Sequence, residues 1–108
     1  MSQVIPLTEA NFHEEVELSP IPVLADFWAD WCVPCKTVIA PAIADLARTY
    51  QGRVKVGTVD MDAQYGLSSR FGITSAPTLI VFKGGEALRK RVGAIPKHEI
   101  EALFKDLA

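Results

Sequence analysis

A chain of 108 residues is the size of one domain, and 49% hydrophobic against 22% charged residues supplies a core and argues against disorder. A net charge of −2 gives the chain as a whole no electrostatic drive towards nucleic acid. No apolar run reaches the ~18 residues that a bilayer-crossing helix needs.

The pattern along the chain alternates strand and helix. Val4–Leu7 reads as a short strand, and Thr8 caps a helix to about Leu18 with Asn11, Glu14 and Glu15 on its polar side. Pro20 and Pro22 then break the chain before Val23–Ala29, an almost continuous apolar run that predicts a central strand covered on both faces. Val38, Ile39, Ala42, Ile43, Leu46 and Ala47 recur at helical spacing up to a stop near Tyr50-Gln51-Gly52, with Pro41 inside and expected to kink the helix. Val54–Val59 predicts the next strand, and a short helix follows around Ala63–Phe71. Thr78–Phe82 and Ala87–Val92 flank Lys83-Gly84-Gly85-Glu86, a tight hairpin turn. Arg89-Lys90-Arg91 reads as a solvated guard on an edge strand. The last helix, Lys97–Leu107, presents Ile100, Leu103, Phe104 and Leu107 on one face. The order is that of a single α/β domain spanning residues 1–108, a central mixed five-stranded sheet with four helices on its two faces.

The chain has two cysteines, at positions 32 and 35. A bridge closing so short a loop adds little stability, so the pair is there for chemistry. It lies where the central strand gives way to a helix. Pro34 suits a first helical turn, because its missing N–H has no partner there anyway. Residues three apart on a helix share a side, which brings Cys32 and Cys35 within bonding reach. Free N–H groups at the helix start favour a thiolate at Cys32, and Lys36 adds a screened positive charge. Cys32 is therefore the expected attacking sulfur, and Cys35, deeper in the turn, the one that resolves a mixed disulfide. A structural zinc ion wants four ligands; here a single Cys pair and two distant histidines, His13 and His98, fall short, and no metal is expected.

Asp26 stands in the middle of the covered strand, where desolvation raises a carboxyl's pKa and makes it a proton carrier near neutrality. Pro77 opens the fourth strand in Thr74-Ser75-Ala76-Pro77-Thr78, and the residues alone do not set its isomer. Trp31, Val33, Ala76, Val92 and Gly93 form an apolar surface if their loops converge.

These residues resemble the thioredoxin family over essentially the whole chain. The resemblance is carried by Asp26-Phe27-Trp28-Ala29-Asp30-Trp31-Cys32-x-Pro34-Cys35-Lys36, Asp60-x-Asp62, Pro77-Thr78, Phe82-Lys83-x-Gly85 and Val92-Gly93, in that order. It implies the thioredoxin fold and a protein-disulfide reductase with no bound cofactor, its redox centre a Cys32–Cys35 disulfide. Cys32 is then the nucleophile, Cys35 the resolving thiol and Asp26 the buried proton-transfer group. Pro77 becomes a cis proline beside the disulfide, with Ala76 offering backbone groups to a substrate strand. Val92 and Gly93 border the substrate groove, and Trp28 and Trp31 pack against the site. Beside these family positions, this chain's own Trp31, Val33 and Pro34 are expected substrate contacts, and its Trp28, Lys36 and Thr58 are expected supporting residues. The implied partners are a thioredoxin reductase, NADPH-flavin or ferredoxin-linked, and disulfide-containing substrates such as ribonucleotide reductase, peroxiredoxins and methionine sulfoxide reductases. A monomer is expected, with neither nucleic acid nor membrane as a partner. Met1–Pro6 lacks the basic-then-apolar layout of a signal peptide. The expected location is therefore the cytoplasm, or an organelle stroma or matrix after removal of a targeting segment.

Three departures from the family pattern stand out. Val33 occupies the position between the cysteines usually held by Gly, and a β-branched residue there stiffens the turn. Thr58 stands where many relatives place a lysine facing the buried Asp, and Lys55 points to the opposite face by strand alternation. Cys35 and Pro41 are six positions apart instead of five, which predicts a π-bulge or shifted kink between Lys36 and Pro41. An oxidase or isomerase is disfavoured by Pro34, where those branches carry His. A non-catalytic binding subunit or chaperone partner is disfavoured by the retention of Cys32, Cys35, Asp26 and Pro77.

Overall fold

A computed structural model describes residues 3–108. Met1 and Ser2, part of the stretch read for a targeting signal, lie outside the described residues. Strands β1 (Val4–Pro6), β2 (Val23–Trp28), β3 (Lys55–Asp60), β4 (Thr78–Lys83) and β5 (Glu86–Val92) form one sheet in the order β1-β3-β2-β4-β5. β3 runs parallel to both β1 and β2, whereas β4 is antiparallel to β2 and to β5. The expected mixed α/β sheet is therefore present, with β2 at its centre. β5 lies at the edge, where the Arg89 guanidinium pairs with Asp106 and that of Arg91 with Glu99. The β4–β5 turn runs through Gly84 and Gly85, both at positive φ (60° and 83°), a conformation that suits a two-residue hairpin and that residues with a Cβ resist.

Period-two alternation sorts the sheet into two faces. Leu24, Val56, Leu79 and Val81 pack against α1 (Ala40–Thr49) and α3 (Lys97–Ala102) through Ile43, Leu46, Tyr50, Ile100 and the following Phe104. Val23, Ala25, Phe27, Val59, Ile80 and Phe82 pack on the other side against Phe12, Val16, Ile73 and Leu67 of α2 (Tyr65–Arg70). Asp26 shares the first face with Leu24, in the middle of a strand whose other residues are apolar.

The helices differ from their sequence expectation in instructive ways. Thr8 does cap the first segment: its Oγ1 accepts from the Asn11 N–H at 3.2 Å, and Asn11 Oδ1 accepts from the Thr8 N–H at 2.7 Å. The helix it opens is not regular α-helix, however; His13–Glu17 is a π-turn in which the Leu18 N–H reaches back to the His13 carbonyl at 2.9 Å. After the cysteines, Cys35–Ile39 is also π-helical and passes into α1 at Ala40. This is the irregularity that the six-residue Cys35–Pro41 spacing predicts. It also corrects the apolar stripe: the wide turn rotates Val38 outward, leaving it 44% exposed, while Ile39 and Ile43 keep the core face. Pro41 sits at the second residue of α1, directly after the π segment, so the wide turn falls where its ring and missing donor would otherwise interrupt a regular ladder. The final helix is α-helical only over Lys97–Ala102 and closes as a 3₁₀ turn, Lys105–Leu107; Ile100 and Phe104 are fully buried, while Leu103 and Leu107 are half-buried.

Candidate active site

Parallel β2 and β3 both end at one edge of the sheet, where loops of α/β folds gather functional groups. β2 stops at Trp28, and a turn at Ala29–Trp31 leads into the helix, the Cys32 N–H donating to the Ala29 carbonyl at 3.0 Å. Cys32 and Cys35 are joined as a disulfide with Cα atoms 5.4 Å apart. The Cys35 N–H donates to Cys32 Sγ at 3.2 Å, so one of the unpaired donors of the helix start points at that sulfur. A thiolate formed there gains both this hydrogen bond and the positive end of the helix. Both cysteines are nearly buried in a small cluster with Ala29, against which Trp28, Met61 and Ala76 pack.

The loops expected to converge do so. The Ala76–Pro77 peptide is cis, and the Gly93 N–H donates to the Pro77 carbonyl at 2.9 Å. Thr78 pairs with Val92 across the β4–β5 ladder, which brings Val92 and Gly93 beside Pro77. Trp31 holds its place by donating Nε1–H to Asp62 Oδ2 at 3.0 Å while its ring stays 64% exposed. Val33 and Val92 are also exposed, as is Pro34, whereas Ala76 and Gly93 are half-buried. An apolar rim thus lies around a disulfide that is itself recessed.

Asp26 lies behind the pair. It is 2% exposed, and burial pushes its carboxyl up to about 7. Thr58 is its cross-strand neighbour on β3, and the two share a cavity with Cys35, Trp28, Lys36 and Ala40. Lys55 points to the other face, as strand alternation demands, with its ammonium 2.8 Å from the Glu15 carbonyl. The Lys36 ammonium turns outward to Asp30 at 3.0 Å, not to the sulfurs, so its charge is spent in solvent. His13 is engaged by Glu17 on the first helical segment, and His98 is exposed on α3. Met61 is the contact that sequence reasoning missed. Its only signal was its place just after β3, at the loop-bearing edge of the sheet.

A recessed cysteine pair at a helix start, backed by a buried acid and rimmed by apolar loops, defines a site for thiol–disulfide exchange on an α/β scaffold. Residues 3–106 match the family described as Thioredoxin. The chain is 44% identical over 97 residues to Thioredoxin 1 of Nostoc sp., covering 90% of each chain. It is 43% identical over 97 residues to the thioredoxin of Synechocystis sp., again covering 90% of each. Against the thioredoxin of Haemophilus influenzae the identity is 41% over 100 residues, 93% of this chain and 92% of the relative. The chain belongs to the thioredoxin family. It is a thiol–disulfide oxidoreductase with protein-disulfide reductase activity, acting on disulfide-bearing proteins and returned to its dithiol form by a reductase.

Proposed function

We propose that reduction proceeds by two exchanges with fixed roles for the two cysteines. In the reduced protein, the Cys32 thiolate attacks one sulfur of a target disulfide. A Cys32–target bond forms, the target's S–S bond breaks, and its second sulfur leaves as a thiolate that takes a proton from water. Asp26 as carboxylate accepts the Cys35 proton, and the Cys35 thiolate attacks Cys32 Sγ. The Cys32–Cys35 disulfide forms, and the remaining target sulfur departs as a thiolate. Two electrons have passed from the pair to the target. The observation that carries this assignment is the Cys35 N–H on Cys32 Sγ, which gives the outer sulfur the better-stabilised thiolate.

The electrons reside in the sulfurs, so no bound cofactor is needed, and every group in the scheme comes from one chain, as suits a monomer. Trp31, Val33, Pro34, Val92 and Gly93 receive the target, with Ala76 and cis Pro77 presenting backbone to it. A dithiol that must be kept reduced suits the cytoplasm or an organelle stroma or matrix. The recharging enzyme is a thioredoxin reductase of the NADPH-flavin or the ferredoxin-linked type. Insulin-disulfide reduction driven by dithiothreitol, then by each reductase in turn, tests the scheme and distinguishes the two donors. Turnover retained in Cys32→Ser would overturn it.

A further inference from the structure

The cavity behind the cysteines holds polarity that the exchange scheme leaves unpartnered. Its volume is about 300 Å³, room for several waters. Asp26 Oδ1 is buried with no hydrogen-bond partner among the described residues, an arrangement that is costly unless solvent reaches it. The charged groups around it are committed elsewhere. Lys36, on the helix, pairs with Asp30; Lys55, on β3, reaches Glu15 across the other face. Asp60, at the end of β3, accepts the N–H groups of Asp62 and Ala63 at 3.1 Å each. From β4 the residue opposite Asp26 is Leu79, which belongs to an apolar core that includes Ile39 and Ile43 of the helix after the cysteines. Trp28 and Lys36 line the cavity but their side chains can only donate; a relay needs a group that donates and accepts at once, and the Thr58 hydroxyl is the one such side-chain group beside the cysteine.

We propose that Thr58 is the positioning residue of a proton relay, its hydroxyl holding cavity water against Asp26 and passing the proton between that carboxyl and solvent. The relay rests on the reading that Asp26 serves Cys35. Water fixed by Thr58 solvates the carboxylate, so the hydroxyl lowers the proton affinity of Asp26 and speeds its release of the proton taken from Cys35.

The test pairs Thr58→Val, which keeps the branched shape, with Thr58→Ser, which keeps the hydroxyl. The Asp26 carboxyl is titrated by carbon NMR in the oxidised protein. Resolution of a mixed disulfide between Cys32 and a chromophoric thiol is followed by stopped flow from pH 6 to 9. Thr58→Val is expected to raise the proton affinity of Asp26 by roughly threefold to tenfold and to slow resolution by a similar factor, with Thr58→Ser close to wild type. An Asp26 titration in Thr58→Val that overlays the wild type overturns the relay. Asp26→Asn separates the two readings. Wild-type resolution in that variant removes Asp26 from the exchange and the relay with it, whereas slowed resolution there beside an unshifted Thr58→Val titration removes Thr58 alone.

Discussion

Replacing Asp26 by Asn should flatten the pH dependence of stability. In the native protein the carboxyl holds its proton up to about pH 7, whereas the unfolded value is 3.8. Stability from this group is therefore complete below pH 3.8, where both states are protonated, and is lost as pH rises through 7, where the native state must bury a charge. At about 1.4 kcal/mol per pH unit, the gap amounts to roughly 4 kcal/mol in full, of which about 3 kcal/mol falls between pH 5 and pH 9. The assay is urea unfolding of the oxidised protein, followed by far-ultraviolet circular dichroism at several pH values in that range. The disulfide keeps the cysteines from titrating, and an unchanged m-value shows that the same surface is exposed. Wild type should lose about 3 kcal/mol across the range relative to Asp26→Asn, because every other titrating group is common to both. Parallel losses in the two proteins would refute the claim that burial holds this carboxyl protonated.

The cysteines, the residue between them and one tight packing site give further tests. Cys32→Ser should abolish insulin reduction, whereas Cys35→Ser should still attack and then stall as a stable mixed disulfide, visible by mass spectrometry; the opposite pattern would reverse the assigned roles. Val33→Gly should loosen the exposed turn between the cysteines and change the redox equilibrium with glutathione without loss of activity. Identical potentials and identical rates with several targets would make Val33 a bystander. Gly57→Ala should cost about 1–3 kcal/mol in thermal or urea unfolding, because a Cβ there would lie 2.6 Å from Leu7 and 2.9 Å from the Ile5 carbonyl. A neutral effect would mean that β1 and the following loop yield more readily than their packing suggests.

Features carried by periodicity or by local chemistry could be read from the sequence. The apolar run around β2 makes Asp26 conspicuous, and the Gly84-Gly85 pair marks its hairpin because both residues need positive φ. Thr8 and Asn11 announce their cap through residue type alone. What periodicity does not record is how a helix accommodates a residue too many. The stretch from Thr8 to Leu18 reads as α-helix, yet His13–Glu17 forms a π-turn. Phe12 and Val16, four residues apart, share a buried face in either geometry, so their spacing does not distinguish the two. Contacts made only when distant loops meet were equally hidden. Met61 against the cysteine cluster and Asp62 under the Trp31 indole depend on β3 ending beside β2, which is a fact of register and not of spacing.

The extra residue before Pro41 shows why the site tolerates such irregularity. Two constraints act on this helix at once: its start must present Cys32 and Cys35 to the sheet edge, and its body must keep Ile43, Leu46 and Ala47 on the core. In a regular α-helix an added residue would rotate one set about 100° relative to the other, exposing either the sulfurs or the core face. The π segment Cys35–Ile39 absorbs that rotation locally, and the cost falls on Val38, whose side chain is turned to solvent. Pro41, which cannot donate to the preceding turn, sits where the regular ladder resumes. The active site and the core are thus decoupled by one wide turn. Substitutions in the exposed part of that turn can alter the surface beside the cysteines while the packing that holds Asp26 behind them stays fixed.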